Sequence, residues 1–292
     1  MGEILSQASR AQYLYEPMNY TSGDKVIGRH FEVPGSPVFS HETMDDLVGR
    51  IRSLDLALKP GYFRSDKSGY RLMKRIAGGR SRLSLLRCRL QPGLKHIIWK
   101  DPIASLAAIA AAERANVPVL VTYRPPHAIA ASFKRMGWWF DLADIAARAR
   151  AGGVLPDLDL PVGRSDCPAI NGALLSVMIN AALIEAAERV PHIRFVPVNA
   201  LLDAPEESYR TLFDWAGLPY GGKVEQAIRR AYHDRRDAAQ TVPAAGRAHN
   251  RTINPAHINS YWRKVLSEEE AGAISEMAGL VDPDRLAAVS IV

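Results

Sequence analysis

The stretch Val117–Lys134, VPVLVTYRPPHAIAASFK, constrains the fold more than any other part of the chain. Its opening residues are mostly β-branched, leucine or aromatic, and the run stops at an arginine followed by two prolines. An apolar run of this length, followed at once by a helix-period segment, reads as a buried strand of a parallel sheet feeding a helix. Arg124 is then the carboxyl end of that strand, and Pro125–Pro126 is the helix entry. In open α/β sheets ligands bind just outside the carboxyl ends of strands, where helix N-termini offer free N–H groups to anions. An arginine fixed there predicts a bound phosphate or sulfate.

The preceding segment extends the pattern. Leu94–Trp99 reads as a buried strand ended by Lys100–Asp101–Pro102, and Ile103–Asn116 as an alanine-rich helix. This βαβ unit implies a right-handed parallel crossover into Val117–Tyr123. Earlier, Gly2–Ala8 has helical character, Tyr13–Tyr15 is a short strand ending at Glu16–Pro17, and an amphipathic helix is expected around Thr43–Leu56. Later, Ile170–Val190 reads as a long helix and Ile193–Val198 as the final strand. Pro205–Trp215 follows as a helix closed by Gly217, and Lys223–Tyr232 is helical. Asp237–Pro255 is polar and irregular; Ser267–Gly279 is a last helix with a capping box from Ser267 and Glu270. Residues 21–91 and 137–168 match no regular pattern throughout and are expected as variable, substrate-side excursions of a single domain spanning 1–292.

Composition adds limits. A chain of 292 residues with 47% hydrophobic content can bury a large core. A net charge of +6 and a pI near 9.4 suit a polyanionic ligand, an acidic substrate or nucleic acid, and equally describe ordinary surface charge. No lysine-rich tail or single-sign block supports a nucleic-acid arm. Cys88 and Cys167 are isolated, which points to a reducing compartment without a disulfide framework or structural zinc. No signal peptide is evident. The longest apolar run, Ile103–Tyr123, is broken by Glu113 and Arg114, so no membrane span is expected and the cytoplasm is the expected location.

Residues able to carry chemistry cluster near strand ends. The helix after Arg124 sets Ile129, Ser132, Phe133 and Met136 on one face. Ser132 is then a hydroxyl in an apolar stripe and needs a partner. That partner is either the carbonyl four residues back or an anion shared with Arg124. Arg124 and Ser132, eight residues apart across a strand-to-helix turn, resemble the nucleotide 3′-phosphate motif of sulfotransferases that use 3′-phosphoadenosine 5′-phosphosulfate (PAPS). Tyr15–Glu16–Pro17 looks like the strand-ending E-P of carbohydrate sulfotransferases and their bacterial relatives. Trp99–Pro102 looks like the family's K-D-P. Phe195–Leu218 is similar to its strand, turn and helix ending in G-L, and Ile253–Ser267 resembles its C-terminal segment that packs over the nucleotide.

The resemblance implies an α/β fold with a parallel β-sheet flanked by helices, the P-loop NTPase-like sulfotransferase fold. It implies PAPS as co-substrate, no metal, and transfer of a sulfuryl group to a hydroxyl of a small-molecule or glycan acceptor. Arg124 and Ser132 would hold the 3′-phosphate, with Arg251 as a second grip. Glu16 is the candidate general base, or else a structural carboxylate, and Asp101 is the second choice for the base. Lys100 either holds the sulfuryl oxygens or forms an ion pair near Asp101. His127 reads as a first-turn surface residue, and Trp138 and Trp139 as packing side chains or as a stacking platform.

One family feature has no counterpart: the opening strand and loop of the kind G-x-x-[RS]-[SG]-x-T-[ST]. Gly2–Ala8 looks like the helix that follows it. A front segment preceding Met1 is the favoured expectation, and loss of the loop is the other. The second would make the chain a non-catalytic nucleotide- or anion-binding protein derived from the same fold. A nucleoside-phosphate kinase would need a GK[ST] loop, which is not present.

Overall fold

The computed structural model describes residues 1–61, 79–156, 161, 167–234 and 257–292. The chain divides into two compact units, Met1–Val117 with Phe213–Val224, and Pro118–Leu212 with Glu225–Val292. Each holds a short parallel strand pair with helices packed against it.

In the first unit the order is α1 (Gly2–Leu5), β1 (Ala11–Tyr15), α2 (His41–Ser53), α3 (Arg80–Leu90), β2 (His96–Lys100) and α4 (Ala107–Ala115). β1 and β2 are parallel, with Ala11 opposite His96 and Tyr15 opposite Lys100, so the two strands end level. The Ser40 hydroxyl caps α2 by accepting the Thr43 N–H at 3.2 Å. Met44, Leu47, Val48 and Ile51 recur at helical spacing along α2 and bury one stripe against Leu14 and Met18. Leu85 and Cys88 of α3 and Ala107, Ala110 and Ala111 of α4 complete this core. The small alanine side chains let α4 lie close to α2. Asp24, 1% exposed, takes Arg50 at 2.7 Å and the Ala57 N–H at 2.9 Å, which ties residues 24–58 to this core.

In the second unit the order is β3 (Val119–Tyr123), α5 (Pro126–Met136), α6 (Leu142–Ala151), α7 (Pro168–Arg189), β4 (Ile193–Pro197) and α8 (Val198–Asp203). α9 (Pro205–Trp215) and α10 (Gly222–Ile228) follow in the chain and straddle the division, since Phe213–Val224 falls in the first unit; then come a turn of π-helix at Arg229–His233, α11 (Glu268–Ala278) and α12 (Pro283–Val289). β3 and β4 are parallel, with Val119 opposite Ile193 and Tyr123 opposite Pro197. Gly137 takes the left-handed backbone that ends α5, and Ser267 with Glu270 forms the expected capping box on α11.

The expected βαβ crossover is not formed: β2 pairs with β1, and β3 with β4. Pairing is a long-range choice, and a strand–helix–strand pattern does not determine it. Neither β2 nor β3 is the fully buried strand its apolar run suggests. β2 is half-buried throughout, and so is β3 apart from exposed Thr122. Among the described residues each has a strand neighbour on one side only. The longest apolar helix is α7 rather than the 103–123 run. Its mean hydropathy reaches 1.6 over an 18-residue window, 78% of which is buried within the protein, as in a core helix.

α7 lies along α5, and the closeness of that contact depends on one glycine. A Cβ at Gly172 would stand 2.5 Å from Phe133 Cγ and 2.8 Å from Phe133 Cβ. The near atoms include the ring's own root, so the clash cannot be relieved by a rotamer change alone. We expect Gly172→Ala to destabilise the protein by about 1–3 kcal/mol in chemical denaturation. An unchanged midpoint would show that the two helices have slack.

Candidate functional site

The first unit carries the acidic residues. Because β1 and β2 end level, the chain places Glu16 and Asp101 side by side just past their carboxyl ends, and the Glu16 N–H still donates to the Lys100 carbonyl at 2.9 Å. Glu16 then takes a φ of +45°, a left-handed backbone that costs a residue with a Cβ about 1–2 kcal/mol. That turn directs its carboxylate back over the strand ends. One oxygen accepts Lys100 Nζ at 2.9 Å, and the other accepts Asn19 Nδ2 at 2.9 Å. Glu16 is 8% exposed, and Lys100 Nζ also lies 5.1 Å from the centre of the Tyr15 ring. Lys100 therefore forms its ion pair with Glu16, beside Asp101, as the second of the two roles read from the sequence has it.

Asp101 is held by backbone. Its Oδ2 accepts the Met18 N–H at 2.7 Å, and its Oδ1 accepts the Ile103 N–H at 3.1 Å, which caps the 3₁₀ turn Pro102–Ala104. Burial pushes its carboxyl up to about 6, with the nearby Glu16 charge adding to the rise and the two N–H donors and Lys100 opposing it. Glu16, Lys100 and Asp101 thus lie close together at the level strand ends. Asn19 is an addition, and a single asparagine in an irregular stretch gives no signal of its own.

The second unit carries the basic residues. β3 delivers Arg124 one residue past its end, and Pro125 and Pro126 start α5. Arg124 Nη2 donates to the Ile258 carbonyl at 2.8 Å, and Nε donates to Asn259 Oδ1 at 3.4 Å. No carboxylate pairs with it among the described residues. Burial pulls its pKa down and the Arg135 charge acts the same way, whereas the phenol of Tyr261 favours the charged guanidinium. The Asn259 amide is in turn fixed by Asn199 Oδ1 at 2.6 Å.

Ser132 faces the same place. Its hydroxyl lies 3.0 Å from the Ala128 carbonyl, four residues back, and 2.5 Å from the Tyr261 hydroxyl. Tyr261 therefore stands between Arg124 and Ser132. The face of α5 differs from the one its spacing suggests. Ala128, Ala130 and Ala131 turn inward with Phe133, while Ile129, Ser132 and Met136 are only half-buried. His127 is more than a surface residue: its ring lies 4.6 Å from that of Trp262, and Nε2 is within 3.2 Å of the Ala271 carbonyl and 3.1 Å of Ser275 Oγ. Trp138 and Trp139 are 41% and 54% exposed, so core packing is not their role, although Trp138 sets its edge against Phe133. Arg251 and Arg247 lie outside the described residues. Arg263 lies over the Trp262 ring at 4.8 Å.

Chemically, the two groups differ in kind. A guanidinium shielded from water and satisfied by neutral acceptors can exchange those acceptors for an anion with a gain in charge pairing. A carboxylate held beside an ammonium at a strand end can accept a proton or orient a hydroxyl. No family model matches the chain, and no curated protein or solved structure matches it either.

The raised pKa of Asp101 has a sign that can be checked. Its folded value lies above the ordinary carboxylate value of about 3.9, so the folded state binds the proton more tightly than the unfolded state. The stability this supplies is complete below about pH 4 and is lost as pH rises through about 6. We expect denaturation curves between pH 4 and 7 to show a fall of about 1–2 kcal/mol that is absent from Asp101→Asn. Parallel profiles for the two proteins would mean that Asp101 titrates normally.

Proposed function

We propose that this chain is a PAPS-dependent sulfotransferase with the P-loop NTPase-like sulfotransferase fold. On this reading it transfers a sulfuryl group to a hydroxyl of a carbohydrate or secondary metabolite. The observation that carries the reading is Arg124, a half-buried guanidinium at a parallel strand end, with Ser132 on the next helix and no carboxylate partner among the described residues. That donor set suits a phosphate monoester, which offers several charged oxygens to a planar fork and a hydroxyl. The level strand ends that bring Glu16, Lys100 and Asp101 together support the second half of the reading.

The chemistry assigned to these residues is simple. Glu16 takes the proton of the acceptor hydroxyl, the acceptor oxygen forms a bond to sulfur, and the bond from sulfur to the 5′-phosphate oxygen breaks. 3′-Phosphoadenosine 5′-phosphate leaves with the electron pair. On this reading Lys100, which pairs with Glu16, meets the charge on the sulfuryl oxygens as Glu16 is neutralised. Positioning and charge neutralisation carry most of such a transfer, by analogy with phosphoryl transfer.

A second reading is a non-catalytic nucleotide- or anion-binding protein of the same descent. It is favoured by the engagement of both Glu16 oxygens, one by Lys100 and one by Asn19. Two variants separate the readings. Arg124→Ala should abolish calorimetric binding of 3′-phosphoadenosine 5′-phosphate under either reading, and retained affinity would sink both. Glu16→Gln should leave that affinity nearly intact while cutting turnover of PAPS by about 100-fold or more, the usual worth of a general base. Turnover absent in the parent, or unchanged in Glu16→Gln, would favour the binding reading or move the base to Asp101.

A further inference from the structure

We propose that the phenol of Tyr261 is the third ligand of the anion gripped by Arg124 and Ser132, so that the turn Tyr261–Lys264 belongs to the binding site. This rests on the reading of that anion as a nucleotide 3′-phosphate. The geometry is specific. The Tyr261 hydroxyl is 2.5 Å from Ser132 Oγ and 3.2 Å from the Ala128 carbonyl, and its side chain is deeply buried, 4% exposed.

Hydroxyl accounting supports a ligand role. Ser132 and Tyr261 have two hydroxyl protons between them, and Ala128 offers one carbonyl that both can reach. One proton is donated to that carbonyl and the other to the partner hydroxyl, so the second rests on a neutral acceptor that a stronger one can replace. A phosphate oxygen beside Arg124 would accept it as a charge-assisted bond, about twice as strong as a neutral one. The phenol already lies near enough to Arg124 to favour the guanidinium's charge.

The surrounding contacts hold the turn ready for this. Ile258 and Asn259 supply the two acceptors of Arg124, Trp262 lies against His127, and Glu270 pairs with Lys134 of α5 at 2.7 Å. One short segment thus aims the guanidinium and also presents the phenol. If the phenol were only a packing anchor, its oxygen would be dispensable, because Ser132 keeps the Ala128 carbonyl without it.

The test is calorimetry on the full chain with 3′-AMP, whose lone phosphate isolates this site, and with adenosine as the phosphate-free control. Tyr261→Phe is expected to weaken 3′-AMP about tenfold or more while leaving adenosine unchanged. Equal 3′-AMP affinity in Tyr261→Phe and the parent, with Arg124→Ala having lost it, overturns the proposal and leaves the 3′-phosphate reading standing. A matching loss of adenosine affinity also overturns it, since the ring would then be shaping the pocket. If Arg124→Ala binds 3′-AMP as the parent does, or the parent does not prefer 3′-AMP to adenosine, the underlying reading fails and the proposal fails with it. Should Tyr261→Phe not fold, Tyr261→His restores an N–H donor on a smaller ring. Affinity for 3′-AMP within about fivefold of the parent then supports a donor at this position, and anything weaker overturns it.

Discussion

The second unit depends on how it accommodates one cation. Removing a guanidinium from water without a counter-charge is costly, and proteins do so where an anion is to be met or where enough neutral acceptors converge. Arg124 has the acceptors: a carbonyl from Ile258 and an amide oxygen from Asn259, itself fixed by Asn199 just after β4. The end of β3, the start of α5, the start of α8 and the turn at Tyr261 are therefore drawn together around a single side chain. The bond to Asn259, at 3.4 Å, is the weaker of these two.

The first unit answers a different constraint. Two parallel strands that end level cannot be joined by a hairpin, so α2, α3 and their connections intervene between β1 and β2. The level ends place consecutive polar residues of two strands next to each other at the first position free of the ladder. Glu16 and Lys100 meet there across a separation of 84 residues. Asp101, next along, is consumed by backbone N–H groups, which makes it a structural acceptor before it can be anything else.

Much of this was legible in local signals. Apolar runs ended by Glu16–Pro17, Lys100–Asp101–Pro102 and Arg124–Pro125 located three strand ends. Ser267 with Glu270, and the glycines at 137 and 217, located helix ends. The misses have physical reasons. α3 reads RSRLSLLRCRL, with arginines spread round the helix and Leu83, Leu86 and Leu90 left exposed, so no apolar stripe announces it. Strand pairing and the half-buried state of β2 and β3 depend on distant neighbours. Tyr261 lies 129 residues from Ser132, and only the folded chain brings the two hydroxyls together. Exposure of Trp138 and Trp139 was equally hidden, because an aromatic pair after a helix reads the same way packed or bare.

The left-handed backbone at Glu16 sets two demands on one codon. The conformation suits glycine or asparagine, whereas the ion pair with Lys100 requires a carboxylate. A glycine there would relax the turn and lose the ion pair with Lys100. The backbone cost of about 1–2 kcal/mol is therefore carried for what the carboxylate holds, Lys100 on one oxygen and Asn19 on the other. Residue 16 is where the preference of the backbone and the bonding of the side chain pull in opposite directions.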